Sequence, residues 1–356
     1  LAGHCRDELT AQGAAPAERR DADRVRNGLF PHSPVLLTPM ARHRAPGVGV
    51  ALLDGDRITG WGQGVTGGEH PAPVTEDTLF PACSVSKQVT TLAVLRLVAE
   101  GVLDLDTDVR RYLTSWRVPD GDPITLRALL SHTAGLTAGA WHDYPRTGPV
   151  PGLGSVLDRV VRDRPAGSAF HYSNAHFAVV QRVLADVTGR ETAELLRSLV
   201  LDPLDMRDSG FTPRFAESRP VAHGHDRHGR PFPGGWRVNA ELAGSGLWST
   251  PADLAKVGRE VVRAASGEPA AFLSRELAEL MVTPVMAGYA LGTATARGDG
   301  ARWFGHPGDR RSHQAFTATD LETGTGLVVM ANLGGETPFL ADVVTQLRLG
   351  IHYLIA

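Results

Sequence analysis

Apolar positions along the chain follow one rhythm at its two ends and another in its middle. "PGVGVALLDGDRITGWGQG" holds two short apolar runs, Val48–Leu53 and Arg57–Gly62, around "DGD", which is the signature of a β-hairpin. Strand-like runs return at "GYALGTATA", "ARWFGH", "HQAFTATD" and "GLVVMAN", and a helix, "PFLADVVTQLRLGIHYLIA", closes the chain. Between these regions the spacing is helical, with segments such as "ITLRALLSH", "HFAVVQRVLADVTG" and "TPADLAKVGREVVRAASG". The last of them has Thr250 as a cap, Pro251 in the first turn and Asp253 near the positive end of the helix dipole. Ser84–Glu100 is apolar nearly all round, at Val85, Val89, Leu92, Ala93, Leu95, Leu97 and Val98, which predicts a helix deep in the protein, stopped by Gly101.

The simplest assembly of these elements is an α/β (α+β) protein with one antiparallel sheet built from both chain ends, flanking helices, and a helical subdomain beside it. The boundaries expected are an N-terminal arm over 1–27, a sheet subdomain from 28–83 and 286–356, and a mainly helical subdomain over 84–285, with the active site between them.

Composition narrows the possibilities. With 42% hydrophobic and 21% charged residues in 356, the chain resembles a soluble protein with a sizeable core. A net charge of −3 leaves no basic footprint for nucleic acid, and no apolar run approaches the roughly 20 residues of a membrane span. The start lacks the apolar core of a signal peptide, and His4 spoils the likeness of "LAGHC" to a lipoprotein box. Cytoplasmic residence is expected, an export signal lost from the N-terminus being the alternative. Cys5 and Cys83 allow one disulfide at most, and Cys83 reads as a small buried residue packing a tight turn. Neither a cofactor nor a metal is expected: His223, His225 and His228 in "HGHDRHG" lack an evident fourth ligand and read as a polar hairpin tip.

The cations carry a chemical hint. The chain has 34 arginines and only two lysines, Lys87 and Lys256. Arginine stays charged at any reachable pH, whereas a lysine amine beside the right neighbours can release its proton and act as a base. Lys87 follows Ser84 by three residues, a spacing that puts both on one face of a helix. At a helix start the Ser84 N–H is also available to a developing oxyanion. Alone, S-x-x-K suits a capped helix with a surface lysine equally well. A second place is "FHYSNAHF", where Tyr172 and Asn174 put a phenol and an amide just before an apolar helix. The phenol is a plausible proton shuttle near a lysine, or simply hydrogen-bonded at the helix start. A third is "RWFGHPGDRRSHQAF", where His306-Pro307-Gly308 ends a strand, Gly308 permits close approach to a ligand, and the Asp309 N–H offers a second oxyanion donor.

In this order, the three places resemble the serine β-lactamase and penicillin-binding-protein family, on the branch with class C β-lactamases, D-stereospecific peptidases and related esterases. The resemblance runs from about Ala45 to the C-terminus and includes "TLFPACSVSK", "VLDLDTDVRRYL", "LRALLSHTAGL", "LVLDPLDMRDSGF", "GSGLWSTPADLAKV" and "TGTGLVVMANL". It implies a β-lactamase/transpeptidase-like fold and an acyl-enzyme formed on Ser84 with an ester, amide or lactam. It also implies Lys87 as the base or its modulator, Tyr172 as the proton shuttle and Asn174 as a substrate partner, with His306 where a lysine or histidine holds the electrostatics. After the histidine motif, relatives usually continue with small residues, whereas here the run is "PGDRRSH". Pro307 removes an N–H from a strand that lines the site, and Arg310 and Arg311 bring cations to its rim. One of them is expected to face an anionic group on a small-molecule acyl substrate.

Two further readings stay open. One is a biosynthetic acyltransferase or cyclase, motivated by the altered rim and by the lack of an obvious extra carboxylate to activate water. The other is a non-catalytic binding protein. His132 in "LLSHTAGL" is read as structural, tying a loop to the helix before it, and Trp141, His142 and Tyr144 as shaping the pocket mouth.

Overall fold

In the computed structural model the described residues are 29–139, 143–212, 215–216, 219–298, 300–335 and 337–347. The arm expected over 1–27, Trp141 and His142, and the end of the closing helix lie outside them. Six strands form one sheet: β1 (Gly47–Asp54), β2 (Arg57–Gly64), β3 (Ala294–Gly298), β4 (Ala301–Asp309), β5 (Gln314–Asp320) and β6 (Thr325–Ala331). Their order is β2-β1-β6-β5-β4-β3, and every neighbouring pair is antiparallel. The front hairpin therefore joins the four back strands along the seam between β1 and β6, where Val50 stands opposite Val329. Gly55, with φ 59°, supplies the left-handed residue that the two-residue hairpin turn needs.

The strands β5 and β6 are buried throughout because both faces of the sheet are covered. Alternation assigns each side chain to a layer. Val48, Val50, Trp303, Phe316 and Val329 pack under two helices, α1 (Pro34–His43) and α6 (Phe339–Gln346). Ala51, Phe304, Ala315, Val328 and Met330 face the opposite layer and merge with the core of the helical region. Two helices of that layer are α4 (Pro251–Ala265) and α5 (Arg275–Val282). The sequence grouped α4 with the helical middle, but it lies against β1, β2, β5 and β6. Thr250 caps it through Asp253 N, as the Thr-Pro start suggests.

The remaining helices of consequence are α2 (Ser86–Ala99) and α3 (Asn174–Thr188). From Ser86 to Leu95 every residue of α2 is buried, which is why its sequence shows so little amphipathic contrast. Helix α3 starts from Ser173, whose hydroxyl accepts the Ala175 N–H, and stops at Gly189 in the left-handed conformation. No helix among the described residues is long and apolar enough to cross a membrane.

Candidate active site

Ser84 sits in a single 3-10 turn, Cys83–Val85, that runs directly into α2. Its predecessor Cys83 has φ 50°, a left-handed conformation that costs a β-carbon residue about 1–2 kcal/mol. Surrounding bonds hold the turn: Ala82 N–H donates to Leu247 O (2.8 Å), and Ser86 Oγ donates to Cys83 O (2.6 Å) while accepting Leu247 N–H (3.1 Å). Cys83 is wholly buried, and burial pushes its thiol up to about 12, so it is no nucleophile at neutral pH. Ser84, half-buried, is the group the turn presents.

One turn on, Lys87 has no exposed surface. Its Nζ lies 3.2 Å from Ser84 Oγ, 2.8 Å from Asn174 Oδ1 and 3.0 Å from Gly244 O. Three donors thus meet three acceptors, brought by the Cys83–Val85 turn, the first residue of α3 and the loop before α4. The ammonium lies over the rings of Tyr172 and Phe177, with Nζ 5.0 and 5.3 Å from their centroids. The Tyr172 ring itself leans on His132 (centroids 4.3 Å apart) and is 39% exposed. Its hydroxyl bonds neither Ser84 nor Lys87: the lysine meets the face of the ring, not the phenol oxygen.

The far wall is the end of β4. Strand β3 pairs with β4 as far as Gly305, and the rest of β4, residues 306–309, packs toward the Ser84 turn. A β-carbon on Gly308 would stand 2.8 Å from Cys83 Cβ, 2.9 Å from Ala82 O and 3.1 Å from Ser84 N, so only glycine fits. Arg310 N–H donates to His313 O across the turn (2.9 Å), which makes that a bonded pair. By alternation, residues 309 and 307 point their backbone nitrogens away from β5, toward the Ser84 side of the strand. Pro307 therefore removes nothing from the sheet ladder; the missing donor is missing from the edge beside Ser84.

His306 is 1% exposed and its imidazole is fully occupied. Nδ1 faces the Pro307 carbonyl and so carries the hydrogen, which leaves Nε2 to accept from Tyr289 Oη at 2.8 Å. Burial first, and then the Lys87 charge, lower its pKa to about 3. His306 is consequently a neutral member of a buried pair. Tyr289, its phenol held far above the usual range by burial, was not foreseen.

The arginines also differ from expectation. Arg310 Nη1 donates to Arg237 O (3.1 Å) and Nη2 to Ser245 O, so its guanidinium is committed to backbone rather than to a substrate anion. Arg311 is exposed on the turn, where a charge is worth little. Asp309 is exposed, and Gln314 Nε2 donates to its carboxylate at 3.2 Å. Tyr144 pairs with Val238 beside the Arg237 carbonyl that Arg310 holds. His132 is buried; its N–H donates to Leu129 O in the helix before it (3.3 Å), as expected, and its Nδ1 also lies 2.9 Å from His176 Nδ1 on α3. His225 turns inward to Asn332 O (3.0 Å), away from the exposed His228.

The residue that sequence reasoning passed over is Glu241. It is completely buried, its carboxylate accepts the Gly244 N–H and the Ser245 hydroxyl (3.3 Å), and the charges nearest it are Lys87 and Arg310. The available signal was an acid embedded in the small, apolar run "NAELAGSG".

A serine held against a buried lysine beside an antiparallel sheet defines a site of the serine–lysine type. The chain belongs to the β-lactamase family, whose profile matches residues 35–349. It is 36% identical to esterase EstB of Burkholderia gladioli over 213 residues, covering 55% of this chain and 53% of that one, so it spans about half the length of this relative. Penicillin-binding protein 4 of Amycolatopsis lactamdurans is 28% identical over 333 residues, covering 86% of this chain and 85% of that one. Among solved structures, the octameric penicillin-binding protein homologue from Pyrococcus abyssi superposes with a TM-score of 0.73 at 25% identity, covering 87% and 74% of the two chains. D-amino acid amidase from Ochrobactrum anthropi SV3 superposes with a TM-score of 0.71 at 22% identity, covering 87% and 96%, a likeness of fold.

Proposed function

We propose that this protein is a serine hydrolase that opens an ester or amide carbonyl through an acyl-enzyme on Ser84. The observation that carries the reading is Lys87 Nζ, wholly buried and 3.2 Å from Ser84 Oγ at the start of a helix. Ser84 Oγ attacks the carbonyl carbon, and its proton passes to Lys87 in molecules where the amine is free. The Ser84 N–H, in a first turn with no intrahelical acceptor, takes the oxyanion, with the Asp309 N–H, which points away from β5, as the second donor sought. The leaving alcohol or amine collects a proton through Lys87 or the free phenol of Tyr172, and water then cleaves the Oγ acyl ester. Asn174, its Oδ1 held by Lys87, turns its amide nitrogen to the substrate. Relatives named as an esterase and a D-aminopeptidase make esters and small peptide amides the first substrates to try.

A fluorophosphonate read by intact mass tests this directly: one adduct, mapped to Ser84, is expected. An unlabelled wild type that also leaves every ester and amide intact would refute the reading. Gly308→Ala is expected to lower stability by about 1–3 kcal/mol through overpacking and to slow labelling at least about tenfold by moving the turn; wild-type melting and labelling would show that the contact has slack.

A second reading, acyl transfer to an amine or alcohol, is favoured by Pro307, which leaves the edge beside Ser84 one donor short of what a strand-like substrate would bond. Product analysis with such acceptors present decides it: free acid as the sole product excludes transfer.

A further inference from the structure

Lys87 has a buried ammonium whose hydrogen-bond partners, Ser84 Oγ, Asn174 Oδ1 and Gly244 O, are all neutral. A buried charge without a counter-charge is disfavoured. Glu241, with no exposed surface, stands on the other side of the same glycine. Gly244 donates its N–H to the Glu241 carboxylate and receives Lys87 on its carbonyl, so one residue bridges the two charges.

The turn that carries this bridge is fixed from several directions. Gln181 Oε1 accepts the N–H groups of Leu242 (2.8 Å) and Ala243 (3.1 Å), and Thr90 Oγ1 donates to Ala243 O (2.6 Å). Arg310 holds Ser245 O, and the Ser245 hydroxyl returns to Glu241. Each backbone carbonyl from Ala243 to Ser245 thus has a side-chain donor, and the carboxylate is the acceptor at the centre. Around Glu241 the facing charges are Lys87 from α2 and Arg310 from the turn after β4; around Lys87, the histidines His132, His176 and His306 are neutral.

We propose that Glu241 is a positioning residue for Lys87: it holds the Gly244 carbonyl on Nζ and supplies the buried counter-charge that sets when the lysine gives up its proton. This deepens the acyl-enzyme reading and rests on it for its meaning, though not for its test. Burial raises the Glu241 pKa while Lys87 and Arg310 lower it, as two coupled charges behind one wall should behave. The arginine that looked like a substrate anchor is, on this account, part of the support of the turn.

The variant that isolates charge from shape is Glu241→Gln, whose amide oxygen still accepts Gly244 N–H and whose NH2 meets the Ser245 hydroxyl. Removing a negative neighbour favours the free amine, so Lys87 should give up its proton at lower pH in the variant than in the wild type. The chain's two lysines make this measurable: carbon-13 NMR of lysine-labelled protein shows Lys87 and Lys256, and Lys256→Arg identifies the second. The acid limb of the fluorophosphonate labelling profile should move the same way. In Glu241→Ala the turn loses its acceptor, and labelling should slow at least tenfold at every pH. A Lys87 titration that is the same in wild type and Glu241→Gln overturns the proposal whatever the activity. A shifted titration without Ser84 labelling sustains it and refutes the acyl-enzyme reading instead.

Discussion

Ser84→Ala should melt like the wild type, take no fluorophosphonate, and lose about 10⁴–10⁶ in kcat/KM on any substrate the protein turns over. The fold has little at stake in the hydroxyl. Among the described residues the Ser84 hydroxyl meets Lys87 Nζ, which keeps Asn174 Oδ1 and Gly244 O when the hydroxyl is gone. Catalysis has everything at stake, because the neighbouring Cys83 is buried with its thiol near 12 and cannot take over. Lys87→Arg should be similarly inactive but should also melt early. A guanidinium stays charged and cannot fit where Nζ sits 5.0 and 5.3 Å from two ring centroids. Calorimetry beside labelling separates the two variants; turnover by Ser84→Ala near the wild-type rate would remove Ser84 from the chemistry.

The second large effect is on acid stability. His176, His306 and His313 are buried with pKa values lowered to about 3, and His132 lies well below the ordinary value of 6.5, burial being the first cause in each case. A histidine with a depressed pKa stays neutral in the fold and takes up a proton only on unfolding. Its contribution is intact above about pH 6.5 and is lost as pH falls toward 3. At pH 5 each of the three with a value of about 3 forfeits about 2 kcal/mol, and together about 6, a large part of the 5–15 kcal/mol that holds a typical domain. Glu241 and Asp253, with raised pKa values, work in the opposite direction but are two against four. Cooperative unfolding is therefore expected between about pH 5 and 4, before most surface carboxylates protonate. Tryptophan fluorescence against pH measures it, and His313→Gln should move the midpoint down. Full native structure at pH 3.5 would show that these imidazoles find protonated states inside the fold.

Much of this was legible in the chain. The hairpin around "DGD", the four back strands and the deep helix after Ser84 follow from local periodicity, and the structure has them at β1–β2, β3–β6 and α2. The proximity of Ser84 to Lys87 is likewise local, since three residues of helix enforce it. Helix α1 was missed, although Ser33-Pro34 is a good start signal. What failed was the direction of side chains whose partners are distant. Arg310 looked like an anion anchor because neither the Arg237 nor the Ser245 carbonyl can be placed beside it from sequence. The partner of His306 was not legible because Tyr289, seventeen residues earlier, gives no sign that it will bury a phenol on that imidazole. Glu241 stayed hidden for the same reason, its meaning depending on a lysine more than 150 residues away.

The seam between β1 and β6 joins residues such as Val48 and Ala331, near opposite ends of the chain. Loop closure on that scale is slow, and a growing polypeptide has β1, β2, Ser84 and Lys87 long before it has anything to pair them with. Until β4 to β6 leave the ribosome, the front hairpin is a two-stranded ribbon with both edges open, a state that invites mispairing and chaperone capture. The same delay is a safeguard. Gly308 closes the Ser84 turn from β4, so a nascent or truncated chain carries its reactive serine without the wall that would make it work.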